Sequence, residues 1–260
     1  MILKSKLSLC LLTAVIWAGG GNSVILAQTP PETPDTTQQL PAATTLPAQT
    51  YSNAVLTAQD LPPEFQEIPP EIAKEVQSKF EDLSNQLAKA GMKPEKFFAF
   101  FNQKTLQIVV GFTGLIPNQS DQANFDATLK QMQQPEYQKQ MMDNIKESLN
   151  KSDEGIKILE YGMIPSVNNI AETSTGMNLA IDLKGQVFYV DLATFRRSNV
   201  GAFTAILSPK DDKQPTSTSL SLLDDVARKL DNRIVQTATG TIPAGANESE
   251  VTPPSNREIQ

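Results

Sequence analysis

The stretch GMNLAIDLKGQVFYVDLATF, residues 176 to 195, constrains the fold more than any other part of this 260-residue chain. Two runs rich in β-branched, aromatic and aliphatic residues are separated only by Lys184-Gly185. A two-residue connection of that kind specifies an antiparallel hairpin, because glycine tolerates the positive φ such a turn requires. Residue 183 then faces 186, so 182 faces 187 and 191 faces 178. Further strands are predicted on either side, at 156 to 164 (IKILEYGMI) and, after Ser198-Asn199, at 200 to 208 (VGAFTAILS). Upstream, KFFAFFNQ (96 to 103) and TLQIVVGFTGLIP (105 to 117) read as two more strands joined by a turn at Asn102 to Lys104.

Helical periodicity occupies the intervals. Ile72, Val76, Phe80, Leu83 and Leu87 form a stripe that starts after Pro69-Pro70 and is closed by Gly91 and Pro94. A second block runs from Ser120, as N-cap, through Phe125, Leu129 and Met132. Pro135 interrupts it and Tyr137, Met141, Ile145 and Leu149 resume it, which predicts a kink or two helices. The last helix, 217 to 235, carries Leu220, Leu223, Ala227, Leu230 and Ile234. Its acids, Asp224 and Asp225, come early, and Arg228, Lys229 and Arg233 come late, as the helix dipole favours. The order α-ββ-α-ββββ-α, with helices grouped and strands joined by short turns, predicts an α+β domain. Its mainly antiparallel sheet has about six strands, with helices packed on it.

The ends differ in character. Lys4 and Lys6 precede an apolar run at 7 to 18, three glycines follow, and VILAQ offers a cleavage site after Ala27. This is the layout of a secretory signal peptide. Retention as an anchor is the competing reading, against which the run falls short of the roughly 20 residues a span requires. Residues 28 to 51 are a Pro/Thr-rich linker and 237 to 260 a tail of similar composition, both expected to be disordered. A single domain is expected over 52 to 236. The location implied is outside the cytoplasm, in a periplasm, a thylakoid lumen or the medium, with no integral membrane span after cleavage.

Composition narrows the chemistry. The only cysteine, Cys10, lies in the leader, and there is no histidine, the commonest general base and metal ligand. The net charge is −7, and −9 once Lys4 and Lys6 leave with the leader, so nucleic acid is a poor partner. No cofactor is expected. Ser148-Leu149-Asn150-Lys151 has the S-x-x-K spacing of β-lactamase-like sites, but no KTG accompanies it. Asp182 and Asp191 lie four rungs apart in the hairpin, about 13 Å at roughly 3.4 Å per residue, too far for a glycosidase pair. The first reads as a turn carboxylate, the second as a sheet-edge or partner-facing charge. NQSDQANFD (118 to 126) lacks the glycine and glutamate of a calcium loop. Gly111 and Gly114, inside an apolar strand, mark a bulge or close packing.

Two constellations remain as candidates. Arg196 and Arg197 form the only adjacent arginine pair and, with Asp191, are the candidate partner-binding residues. The bland alternative for the arginines is a solvated strand end blunted against aggregation. Phe98 and Phe100, beside Phe97 and Phe101, together with Met132, Met141 and Met142, could line an apolar cavity between helix and sheet; ordinary core is the alternative.

In its order of elements, and in LTAQDLPPEF (56 to 65), FRRSNVGAFTAILSP (195 to 209) and SLLDDVARKLDNRI (221 to 234), the chain resembles the PsbP-like sandwich. It is also similar to extracytoplasmic sensor and lipoprotein domains that begin with an LPxGF/W opening, although Glu64 stands where that opening has glycine. The leader ending in ILAQ and the Pro/Thr linker resemble exported proteins of cyanobacteria. The resemblance implies a non-enzymatic accessory, assembly or sensing module. The leading expectation is therefore a binding module that engages a protein partner through one face of its sheet. A carrier of a small apolar ligand is the alternative, and a hydrolase using carboxylate or Ser/Lys chemistry the third.

Overall fold

The computed structural model describes residues 54–69, 91–151, 155–210 and 217–240, with isolated helical positions between 81 and 88. The expected leader, the linker and most of the tail lie outside the described residues. So does the helix expected after Pro69-Pro70, as far as residue 80. Its expected end is described. Gly91 has φ +86°, its N–H donates to Ala88 O at 3.2 Å, and the Met92 N–H donates to Leu87 O at 3.0 Å. That pair of bonds is a glycine-terminated helix end, and Leu87 packs on the cluster that contains Met92.

The elements are β1 (Phe65–Glu67), β2 (Lys93–Asn102), β3 (Gln107–Leu115), α1 (Gln119–Met132), α2 (Pro135–Lys151), β4 (Ile156–Met163), β5 (Thr173–Leu183), β6 (Gln186–Arg197), β7 (Val200–Pro209) and α3 (Ser217–Ala238). All seven strands join one sheet in the order β1-β2-β3-β7-β6-β5-β4, and each neighbouring pair is antiparallel. The α+β class stands. The strand beyond the expected six is β1, which pairs Phe65 with Asn102 and Glu67 with Phe100.

The hairpin that anchors the prediction has the expected register, with Leu183 opposite Gln186, Asp182 opposite Val187 and Asn178 opposite Asp191. Lys184 and Gly185 both have positive φ, 52° and 89°, the geometry that matches the strand twist. Asp182 Oδ1 accepts the Gly185 N–H at 2.8 Å, as a turn carboxylate would. Ser198, φ 52°, begins an equally short turn that leaves Arg197 opposite Val200. At Pro135 there are two helices rather than a kink. The first is capped at Asn118, not Ser120, and the Asn118 side chain donates to Asp121 Oδ2 at 2.8 Å.

Side-chain alternation divides the core into two layers. On one side of the sheet Val110, Phe112, Leu179, Ile181, Val190, Leu192 and Phe203 pack with Met141, Met142, Ile145 and Leu149 of α2. On the other, Phe98, Phe100, Val109, Phe195, Ala202 and Ile206 pack with Leu223, Val226, Leu230 and Ile234 of α3. Leu56, Leu61 and Phe65 of the N-terminal segment join that second layer, as do Ile164, Val167 and Ile170 of the β4–β5 connection. At Gly111 the Phe98 ring of β2 lies directly over the backbone of β3. A Cβ there would lie 2.3 Å from Phe98 Cζ and 2.5 Å from Phe203 O, so only glycine admits the ring, as the close-packing reading of that residue anticipated.

Candidate functional site

Arg196 and Arg197 end β6 on opposite faces of the sheet, as adjacent strand residues must. Arg196 reaches to the α1 side. Its Nε and Nη2 donate to the two oxygens of Asp126 at 2.7 and 2.6 Å, and its Nη1 donates to Glu172 Oε2 at 2.7 Å and to Ser198 O. Arg197 reaches to the α3 side, where Nε and Nη2 donate to Asp231 at 2.8 and 2.6 Å and Nη2 also reaches Ile170 O at 3.2 Å. The Arg196 bond, against some cost of burial, holds the Asp126 carboxyl below its ordinary range. The arginine pair is thus neither a free clamp for a partner nor a solvated strand end. It ties a helix layer to each face of the sheet. Neither anionic partner was visible locally, since Asp126 lies 70 residues from Arg196 and Asp231 34 from Arg197.

Asp191 is a second correction. It is wholly buried beneath the start of α3, not turned towards a partner. The Ser219 hydroxyl donates to its Oδ2, while Oδ1 has no hydrogen-bond partner among the described residues. Burial pushes its carboxyl up, with the Ser219 bond opposing. Ser208 lies 3.4 Å from Ser219, oxygen to oxygen, and receives a hydrogen bond from Gln107 Nε2 at 3.2 Å. This polar chain links β3, β7, β6 and α3 inside an otherwise apolar layer.

The expected apolar pocket is not assembled. Phe98 and Phe100, ring centroids 6.0 Å apart, face α3. Met141 lies in the layer on the opposite side of the sheet and Met132 packs against that layer. The sheet stands between the two pairs. A Phe-rich run places its even members on one face and its odd members on the other, and composition alone does not say which face a given methionine will meet.

What the sheet leaves uncovered is at the β4 end. On the α3 side, α3 covers β7 and β6, and the β4–β5 connection lies over Gly176, where a Cβ would come within 2.2 Å of Val167. Beyond that cover Lys157 and Glu160 are exposed, and Asn178, Asp182, Val187 and Tyr189 are half-buried. Register puts them on one face: Lys157 opposite Asp182, Glu160 opposite Ala180, Tyr189 opposite Ala180, Val187 opposite Asp182. The strip continues onto the outer edge of β4, which pairs with no strand among the described residues. There Leu159 is 52% exposed and Tyr161 39%. Register shifts between Ile158 and Glu160, so Leu159 is the extra residue of a β-bulge. Lys146 Nζ sits 5.8 Å from the Tyr161 ring centroid. Sequence reasoning found this strand and missed its exposure. The available signal was position: it follows a helix and has a hairpin partner on one side only.

Among the described residues no group of three or more His, Cys, Asp or Glu could hold a metal ion, and no helix is long and apolar enough to cross a membrane. No known family model matches the chain, and no curated protein matches it. Among solved structures the chain is similar to the Ran-binding protein Mog1p of Saccharomyces cerevisiae, with 10% identity and a TM-score of 0.28, over 68% of this chain and 86% of that one. It is similar also to a point mutant of protein Mog1, with 9% identity and a TM-score of 0.27, over 69% and 86%. The expected kinship with PsbP-like and LPxGF-type domains is corrected: no family model matches the chain, and the structural likeness found is to Mog1 proteins.

Proposed function

We propose that this chain is a non-enzymatic binding module that engages a protein partner through the uncovered α3-side strip of β4, β5 and β6. The observation that carries this reading is the contrast within one sheet. Its central strands are buried on both faces, whereas Lys157, Glu160, Asn178, Val187 and Tyr189 form a contiguous polar and aromatic surface with no helix over it among the described residues. Aromatic and amide side chains on a rigid sheet suit protein recognition, because they supply contact area at low entropic cost. The expected engagement through a whole sheet face narrows to this strip, since α1, α2 and α3 occupy the remainder. The signal-peptide layout of residues 1 to 27 supports an encounter outside the cytoplasm.

The test is site-specific photocrosslinking in the native cell, with a benzophenone side chain at Asn178 or Tyr189 and, as control, at exposed Gln236 of α3. Adducts of one discrete mass from the first two positions, and none from the third, support the reading. Equal labelling from all three, or none from any, removes it. Mass determination of the mature N-terminus, expected at Gln28, checks the location.

A further inference from the structure

We infer that two copies of the chain join through β4, antiparallel, about a two-fold axis between Ile158 and Leu159. The edge carries its own complement. Lys157 and Glu160 are three apart in sequence and would ordinarily point to opposite faces. The bulge at Leu159 removes one step of alternation, so both lie on the α3 side, opposite Asp182 and Ala180 of β5. Both are exposed, and neither has an ion-pair partner among the described residues. A two-fold axis there sets Lys157 of each copy against Glu160 of the other and Ile158 against Leu159, so that the two Leu159 residues flank the axis. Ile156 of each copy then meets the other's Tyr161, on the α1/α2 side. Opposite charges directly across paired strands stabilise pairing, and like charges there oppose it.

The segment Ile156–Met163 contains no proline, and its outward positions are the large apolar Leu159 and Tyr161 rather than charges alone. An edge with that make-up is suited to pairing. The bulge costs a rung of backbone hydrogen bonding, so the contact rests on side chains and is reversible. The axis stands perpendicular to the sheet, and the two uncovered strips therefore face the same way. The dimer thereby presents a doubled partner surface; that consequence, though not the dimer itself, rests on the reading of the strip given above.

Sedimentation velocity of the mature chain from about 1 µM to about 1 mM, the range in which small interfaces dissociate, tests the inference. A concentration-dependent monomer–dimer equilibrium is expected. Lys157→Glu and Glu160→Lys should each shift it to monomer by at least roughly tenfold, as two repelling pairs replace two attracting ones. The double swap should restore it. Circular dichroism of each variant separates lost pairing from lost folding. A second readout needs no charge change. The sole cysteine, Cys10, lies in the leader, so Leu159→Cys in the mature chain should give a disulfide dimer under mild oxidation, and Leu106→Cys, comparably exposed, should not. A monomer at every concentration overturns the inference. So does a dimer indifferent to the single swaps, or a double swap that fails to restore it. Adducts of foreign mass at Tyr189 report on the partner surface independently of any of these results.

Discussion

Arg197 and Asp231 are joined by two parallel hydrogen bonds, Nε to Oδ1 at 2.8 Å and Nη2 to Oδ2 at 2.6 Å, between the end of β6 and the C-terminal half of α3. One residue earlier, Arg196 makes the same fork to Asp126 on the opposite face. Two consecutive residues therefore hold the two helix layers.

The planar fork is what distinguishes arginine from lysine here. Arg197→Ala should cost about 2 kcal/mol of unfolding free energy, the scale of hydrogen bonds to a charged group. Arg196→Ala should cost about 3 kcal/mol, because it leaves Asp126 and Glu172 facing each other without a cation. Arg→Lys at either position should recover less than half. Urea denaturation of the variants measures all four values.

The sheet separates the two forks, and Asp126 and Asp231 share no partner. Arg196→Ala combined with Asp126→Ala should show strong coupling, as should Arg197→Ala with Asp231→Ala. Arg196→Ala combined with Asp231→Ala should be additive to within about 0.5 kcal/mol. Double-mutant cycles on denaturant midpoints provide the check.

Asp191 and Asp126 should impose opposite pH dependences. The Asp191 carboxyl is raised by burial, so its folded-state pKa lies above its unfolded one. Its neutral form suits the interior. Stability is full below the unfolded value, about 4, and declines as pH rises through the folded value. Asp126 is depressed by Arg196, so its contribution is present above about pH 4 and is lost as pH falls through its folded pKa. Relative to the parent, Asp191→Asn should gain stability as pH rises from about 4 towards the folded value of Asp191, and Asp126→Asn should lose it as pH rises towards about 4 from below. Denaturation curves at a series of pH values separate the two.

Gly111→Ala should destabilise by about 1 to 3 kcal/mol, the usual cost of overpacking a filled core. The added carbon meets a ring that is itself held by Phe100 on one side and a backbone carbonyl that cannot retreat. Phe98→Leu in the same chain should return part of that loss, which thermal melting of the double variant would record.

Much of the sheet was legible because its hairpins are short. A two-residue turn with positive φ leaves no freedom in register, so Lys184-Gly185 determined the neighbours of Asp182 and Asp191 before any tertiary fact was known. β1 escaped because three residues, Phe65 to Glu67, are too few to show alternation. The roles of Arg196 and Arg197 escaped for another reason. An exposed ion pair and a cross-layer fork have the same local sequence, and only the position of Asp126 and Asp231 on other elements separates them. Asp191 was misread because alternation along β6 gives its face but not the element that covers that face. β4 lies at the limit of what pattern can reveal: its alternation was visible, its missing neighbour was not.

The layer under α3 is completed by residues from both extremes of the described chain. Asp60, just inside the N-terminal segment, accepts two hydrogen bonds from Arg233 Nη2, at 2.8 and 3.0 Å, and its backbone carbonyl accepts one from Lys229. The central pair β3 and β7 likewise joins strands from the two halves of the chain. A chain emerging from the ribosome cannot close such a topology until its last helix has been synthesised, and contacts this distant in sequence make closure slow. The layer under α3 would thus stay open for the whole of the chain's synthesis. That is the condition in which a chain can still be threaded through a narrow pore.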